Sequence, residues 1–198
     1  MSSTRLENLA QLQATSECTV LLVTKHNLSG YILPDHPLHP AFTYLSETHK
    51  ADYLRTYFMN FHGGGYSDVK KTTGSWIESF DRINTTDAWI CGYKEVEGGV
   101  AYPPNADKWR EMVGNGAYIC KPLTPLTKKW YAEMIALLDS KLDALQQHPS
   151  RFPQDCSEVS SYPIAWNELL GRIFHRVSYE YKEHLINILP ISVFSDYR

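Results

Sequence analysis

Hydrophobic residues recur along this chain with two different spacings, and these spacings predict helices and strands in alternation. Apolar positions three or four residues apart predict helices, over residues 4–14, 48–61, 125–148 and 166–174. Compact apolar and β-branched runs predict strands, at residues 19–24, 87–93, 117–120 and 188–194. Pro190 confines the last strand to an edge or a bulge. Such alternation indicates an α/β fold in which helices flank a central mixed sheet.

Glycine and proline clusters mark the connections between these elements. Three prolines make residues 27–44 an irregular loop, and residues 149–162 are predicted to form a polar loop. Gly114 and Gly116 predict a turn immediately before the third strand.

The composition excludes several classes of function. The chain has 198 residues, of which 43% are hydrophobic, so we expect one domain with a substantial core. A net charge of -3 without a basic patch predicts no nucleic-acid partner. We expect no membrane span, because no run of about 18 apolar residues exists, and the polar N-terminus lacks an apolar signal core. The four cysteines are far apart, as is typical of reduced thiols, so we expect a cytoplasmic, intracellular protein without zinc.

One stretch in the middle of the chain carries the richest candidate chemistry. Asp52 and Arg55 lie one helical turn apart on the flank of the second predicted helix. Glycines at 63–65 end that helix, and in the extended segment after them Tyr66 and Asp68 fall on the same side. Each feature alone is typical of an ion pair or a helix cap, but their joint order predicts a binding site.

The residue types in this stretch favour a phosphorylated sugar as the ligand. A carboxylate just beyond a glycine turn, such as Asp68, suits a divalent metal that also binds phosphate oxygens. A carboxylate beside a guanidinium, such as Asp52 beside Arg55, suits the hydroxyl groups of a sugar. Groups built to pair with hydroxyls also discriminate between sugars, because the wrong sugar leaves them unpaired.

The same stretch resembles the nucleotide-sugar-binding core of GT-A glycosyltransferases. The family pattern is Ser-Asp-x-x-Arg followed by Gly-Gly-x-Tyr-x-Asp-x-Asp, and residues 51–70 match most of it. The resemblance is to the group that includes capsular-polysaccharide and mannosyl transferases and the glucosylating clostridial toxins. Residues 114–118 and 162–175 add to it, and the second of these stretches resembles small bacterial and viral relatives. The compact chain is also similar to the soluble transferases of large DNA viruses of algae, which decorate a capsid protein.

The resemblance implies a fold and a reaction. The fold is a GT-A-like single domain over residues 1–198, with a Rossmann-like nucleotide-sugar-binding core at 19–120 and a helical part at 124–198 that completes the cleft. The reaction is transfer of a hexose from a nucleoside-diphosphate sugar, with UDP-glucose as the first choice, to a glycan or glycoprotein such as a viral capsid glycan. Mn²⁺ or Mg²⁺ would assist the departure of the diphosphate.

The resemblance also implies roles for individual residues. Asp52 and Arg55 would contact sugar hydroxyls, Asp68 would hold the metal, and His175 would be a late ligand of the metal or the diphosphate. Lys25, at the end of the first predicted strand, would approach the base. The other positions that it places at the donor site are Gly64, Gly65, Tyr66 and Trp166.

The chain departs from the family pattern at Lys70, where the second metal-binding acid is expected. A protonated lysine does not ligate a metal. Either another carboxylate replaces that acid, or the metal is held by Asp68, the diphosphate and water, or Lys70 itself neutralises the diphosphate.

The catalytic base and the stereochemistry stay open at this point. An inverting enzyme needs a base that deprotonates the acceptor hydroxyl, whereas a retaining enzyme can work without one. The candidate bases lie near predicted loops, and Asp155 and Glu158 are favoured over Asp107 and Glu111.

Two other functions compete with sugar transfer. The departure at Lys70 favours a module that binds a nucleotide-sugar without transferring it. The His-Gly-Gly-Gly run that begins at His62 resembles the oxyanion-hole motif of lipase-like esterases. That motif requires a Gly-x-Ser-x-Gly elbow, which the sequence lacks.

Overall fold

A four-stranded mixed sheet lies at the centre of the computed structural model, which describes residues 2–195. Its strands are β1 (Gly64–Ser67), β2 (Ile90–Lys94), β3 (Val113–Cys120) and β4 (Leu185–Ile186). Their order across the sheet is β1-β3-β2-β4. Strand β3 pairs antiparallel with β1 and β2, whereas β4 runs parallel to β2. The predicted α/β architecture with a mixed sheet is confirmed.

Five α-helices accompany this sheet in the described part of the chain. They are α1 (Ser3–Ser16), α2 (Glu47–Phe61), α3 (Ile77–Thr85), α4 (Pro125–Gln147) and α5 (Gly171–Glu180). Side chains of Ser2, Ser46 and Thr124 cap the first, second and fourth helices by accepting a backbone N–H three residues on. The helices predicted at 4–14, 48–61 and 125–148 are therefore confirmed. No pattern in the sequence analysis predicted α3.

Alternation along the strands divides the apolar side chains between two cores. Ile90, Tyr118 and Cys120 belong to the larger core, which also contains the buried faces of α2, α4 and α5. Their neighbours Cys91 and Ile119 belong to the smaller core, together with residues of α1 and α3. Because successive side chains in a strand point to opposite faces, this division places helices on both sides of the sheet.

The prediction of a buried first strand at residues 19–24 is wrong. This run forms no strand, and Leu21 and Leu22 are 65% and 39% exposed. The Asn27 side chain accepts a hydrogen bond from the Thr24 N–H and donates one to the Leu22 carbonyl. These bonds fold the end of the run into a turn, so Lys25 lies in an exposed turn and not at the edge of a sheet. Strand propensity depends on available pairing partners, and here a local side chain satisfies the backbone instead.

The predicted turn at Gly114 and Gly116 is also wrong, because both residues lie inside β3. A Cβ atom on Gly114 would come within 2.0 Å of the Tyr93 ring, and one on Gly116 would lie 3.2 Å from the Tyr93 hydroxyl. The glycines therefore make room for a tyrosine that crosses the strand, a role that local sequence does not reveal.

The two C-terminal elements are displaced from their predicted positions. Helix α5 begins at Gly171 and not near Trp166, and in the segment before it the Glu158 carboxylate accepts the Trp166 N–H. The last strand is β4 at Leu185–Ile186, whereas the predicted run at 188–194 contributes only a bridge between Ser192 and Thr72.

Candidate functional site

Four of the predicted site residues form a network of ion pairs and hydrogen bonds with Lys70. Arg55 places Nη2 3.0 Å from Asp52 Oδ1 and Nη1 3.5 Å from Asp68 Oδ1. The Tyr66 hydroxyl donates to Asp68 Oδ1 at 2.7 Å. Lys70 Nζ lies 2.8 Å from Asp68 Oδ2. We call these five residues the acid–base cluster.

Local backbone geometry explains how the acid–base cluster assembles. Asp52 and Arg55 lie three residues apart, so both project from the same side of α2. Gly63 and Gly64 then adopt positive φ angles of 67° and 82°, which turn the chain from α2 into β1. A Cβ on Gly63 would approach Pro122 Cδ to 2.6 Å, so this position excludes other residues.

Residues of strand β3 contact the acid–base cluster from the side opposite α2. The Asn115 carbonyl accepts a hydrogen bond from Arg55 Nη1 at 3.0 Å. Tyr118 lies directly opposite Tyr66 in the β1–β3 pairing, and the two rings stack with centroids 5.5 Å apart. The Arg55 guanidinium lies 4.3 Å from the centroid of the Tyr66 ring, which adds a cation–π contact. The resemblance includes this stretch of β3 but implies no role for Asn115 or Tyr118, because only the strand register brings them here.

The pKa values of the two carboxyl groups are shifted in opposite directions. Burial raises the pKa of Asp52 to about 6, although the charge of Arg55 opposes the rise. Burial also acts to raise the pKa of Asp68, but Arg55 and Lys70 outweigh it, so that pKa is lowered. Two acids therefore face two bases, and their formal charges cancel once Asp52 is ionised.

Two buried polar atoms near these carboxyl groups stand out in the described part of the chain. Within residues 2–195, neither Arg55 Nε nor the Tyr118 hydroxyl has a hydrogen-bond partner. Buried polar groups are nearly always paired with protein, water or ligand. Asp68 is the most exposed of the cluster's four charged side chains, at 28%. A ligand with several hydroxyl groups has the chemistry to approach at Asp68 and pair with these residues.

The Mn²⁺ or Mg²⁺ that the resemblance implies stays a prediction, and the residues around Asp68 do not fit it. Both Asp68 oxygens are engaged, Oδ1 by Tyr66 and Arg55 and Oδ2 by Lys70. In the described part of the chain, no group of three or more His, Cys, Asp or Glu side chains is arranged to hold a metal. A metal at Asp68 would have to displace a lysine that already neutralises it.

His175 lies in a separate buried pair. Its Nδ1 accepts the Ala101 N–H at 2.9 Å, so Nε2 carries the proton that faces Glu95 Oε2 at 3.1 Å. Both side chains are almost completely buried. No local sequence pattern predicts Glu95 as the partner of His175, because the two lie 80 positions apart in the chain.

The remaining predicted donor-site residues do not join the contacts of the acid–base cluster. Lys25 is exposed in its turn, and Trp166 is 49% exposed in the loop before α5. Gly64 is exposed at the start of β1. Gly65 follows it, and a Cβ there would lie 3.0 Å from the Trp76 ring, so close packing against that ring accounts for the glycine.

The four candidate bases are all engaged by other groups. Asp155 is buried and accepts from the Ser160 hydroxyl and from a backbone N–H in the same loop. The partners of the other three include the Trp166 N–H for Glu158, Lys108 for Asp107 and Lys182 for Glu111. The Asp155 contacts are those of a loop-stabilising carboxylate.

The contacts around the glycine run give no support to the esterase alternative. The Ser67 hydroxyl donates to the Asp68 carbonyl at 2.7 Å, which is not the pairing with a general base that a nucleophilic serine requires. The His62 ring contacts the Tyr31 carbonyl at 2.8 Å.

Two further findings bear on class and family. No helix within residues 2–195 has the length and apolar character needed to cross a membrane. Comparison of the chain with protein-family models, curated proteins and solved structures finds no match.

Proposed function

We propose that this chain is an intracellular glycosyltransferase whose acid–base cluster binds the sugar of a nucleoside-diphosphate sugar. UDP-glucose is the first candidate donor, and a glycan or glycoprotein, such as a viral capsid glycan, is the acceptor. One observation carries the proposal. The resemblance groups Asp52, Arg55, Tyr66 and Asp68 only by their order in the sequence, and these four side chains contact one another in the structure. The support comes from this cluster and not from the sheet, because residues 19–24 do not form the strand expected of a GT-A-like core.

The energetic cost of the acid–base cluster supports a functional role. Asp52 and Arg55 have exposed fractions of 5% and 9%, and taking such charges out of water is expensive even when they are paired. The burial that raises the Asp52 pKa shows that Arg55 does not fully compensate this cost. Strongly perturbed groups beside a specific charge partner mark candidate functional sites.

Each group of the cluster has a distinct task in the proposed complex. A sugar hydroxyl both donates and accepts, so it can accept from Arg55 Nε and donate to the Asp52 carboxylate. Tyr66 and Asp68 hold the guanidinium in place and present one partly exposed carboxylate to the ligand. Because the correct sugar pairs groups that otherwise stay unpaired, this arrangement discriminates between hexoses.

A non-catalytic nucleotide-sugar-binding module is the second candidate, and one observation favours it. Each of the four candidate bases already has a hydrogen-bond partner within the protein. Release of nucleoside diphosphate separates the two functions, since a transferase in the presence of donor releases it, by transfer or by slow hydrolysis, and a binding module does not.

The test of sugar recognition compares a nucleotide-sugar with its free nucleotide. Asp52→Asn keeps the shape of the side chain but removes its charge. We expect this variant to bind UDP-glucose at least about tenfold more weakly, a loss of ~1.4 kcal/mol, while UDP affinity changes less than about twofold. Isothermal titration calorimetry measures both affinities, and Asp143→Asn, at an exposed position of α4, is the matched control. If other nucleotide-sugars are preferred, a thermal-shift panel identifies the donor first, because ligand binding stabilises the folded state by mass action.

A further inference from the structure

Lys70 occupies the place beside Asp68 where the family pattern implies a divalent metal. Its Nζ lies 2.8 Å from Asp68 Oδ2, and its N–H is 2.6 Å from the Asp68 carbonyl, so the backbone folds the lysine back over the carboxylate. The Phe194 ring lies 4.7 Å from the same Nζ. The lysine side chain is 10% exposed, so this cation is held inside the site rather than extended into solvent.

The charge balance of the cluster already includes this lysine. Asp68 receives positive charge from Lys70 at one oxygen and from Arg55 at the other. A divalent cation binds where ligand carboxylates are in excess and can approach it from several directions. Among residues 2–195, an arriving Mn²⁺ would find that two cations already contact the Asp68 carboxylate. Both cations would repel the metal, and displacing either would separate a largely buried charge from Asp68.

We propose that Lys70 takes the place of the divalent metal, so that this chain binds its nucleotide-sugar without Mn²⁺ or Mg²⁺. Lys70 is then a positioning residue that supplies positive charge beside Asp68, where the diphosphate of the donor would lie. The identity of the ligand rests on the proposed function, whereas the exclusion of the metal rests only on the contacts of Asp68.

A Mn²⁺ titration followed by electron paramagnetic resonance tests the exclusion of metal without any nucleotide. We expect the wild-type chain to leave Mn²⁺ free, because Lys70 neutralises the only exposed carboxylate of the acid–base cluster. We expect Lys70→Asp, which restores the family pattern, to bind Mn²⁺ at least about tenfold more tightly, since affinity grows with the number of charged ligands. Adding Asp68→Asn to that variant should abolish the gain.

Two outcomes of this titration overturn the proposal. One is Mn²⁺ binding by the wild type that Asp68→Asn removes. The other is a folded Lys70→Asp variant, checked by circular dichroism, that binds Mn²⁺ no better than the wild type. Should Lys70→Asp not fold, Lys70→Met removes the charge but keeps an apolar side chain beside Phe194. That variant is also expected to bind Mn²⁺ more tightly than the wild type, and its failure to do so counts against the proposal.

Calorimetry with UDP-glucose in EDTA and in Mn²⁺ separates this inference from the proposed function. Equal affinity in the two buffers supports metal-free binding, and binding that requires Mn²⁺ overturns it. If UDP-glucose and the other nucleotide-sugars do not bind in either buffer, the proposed function fails. The Mn²⁺ titration still decides the role of Lys70 in that case.

Discussion

The raised pKa of Asp52 makes the stability of this protein depend on pH in a direction that can be calculated. Burial raises that pKa from 3.8 to about 6, so the folded state holds a proton that the unfolded state releases at lower pH. At ~1.36 kcal/mol per pKa unit, a rise of about 2 units corresponds to about 3 kcal/mol. The stabilising contribution of the protonated group is fully present below pH 3.8 and is lost as the pH rises through 6.

The Asp52→Asn variant isolates this contribution because asparagine does not titrate. Urea denaturation of both proteins between about pH 4 and 7.5 gives the free energy of unfolding at each pH. The value for the wild type minus that for Asp52→Asn should fall by up to about 3 kcal/mol across this range. All other titrating groups are shared by the two proteins, so the difference reports mainly on Asp52.

A surface aspartate supplies the matched control. The hydrogen bond from Lys108 lowers the pKa of Asp107, so the difference between wild type and Asp107→Asn should change slightly and in the opposite direction. A difference for Asp52→Asn that is flat between about pH 4 and 7.5, or that rises with pH, would refute the account of a carboxyl group penalised by burial.

Two further predictions concern packing and hydrogen bonding near the site. Gly114→Ala should lower the free energy of unfolding by about 1–3 kcal/mol, because its Cβ would overlap the Tyr93 ring; Gly30→Ala, with open space around its Cβ, is the control in the same denaturation assay. Tyr118→Phe should leave stability unchanged or raise it, since the Tyr118 hydroxyl lacks a partner among the described residues. Tyr57→Phe should cost about 1–2 kcal/mol because it removes hydrogen bonds to two backbone groups. Equal losses for the two tyrosine variants would mean that the Tyr118 hydroxyl is paired after all.

Local periodicity predicted the parts of the site that adjacent residues build. A spacing of three on a helix placed Asp52 beside Arg55, and a spacing of two in an extended segment placed Tyr66 beside Asp68. These rules hold because backbone geometry alone fixes them. The contact of Lys70 with Asp68 has another origin, because the chain bends after β1 and the Lys70 N–H lies 2.6 Å from the Asp68 carbonyl.

Contacts between residues far apart in the chain determine the parts of the site that local sequence patterns do not predict. Asn115 and Tyr118 join the acid–base cluster only through the register of β1 against β3. The glycines of β3 are typical of a turn in sequence, but their role is to leave room for the Tyr93 ring on a neighbouring strand. The run at 19–24 has strand-forming composition yet finds no strand partner. Tertiary context overrides local propensity in β3, whereas at 19–24 the nearby Asn27 side chain turns the chain.

The central claim is that the acid–base cluster recognises the sugar of a nucleotide-sugar, and one calorimetric comparison tests it most directly. Asp52→Asn and the wild type are each titrated with the preferred nucleotide-sugar and with the matching free nucleotide. The account predicts at least about a tenfold loss of affinity for the nucleotide-sugar and less than about a twofold change for the nucleotide. An equal loss for both ligands, or no loss for either, would contradict it.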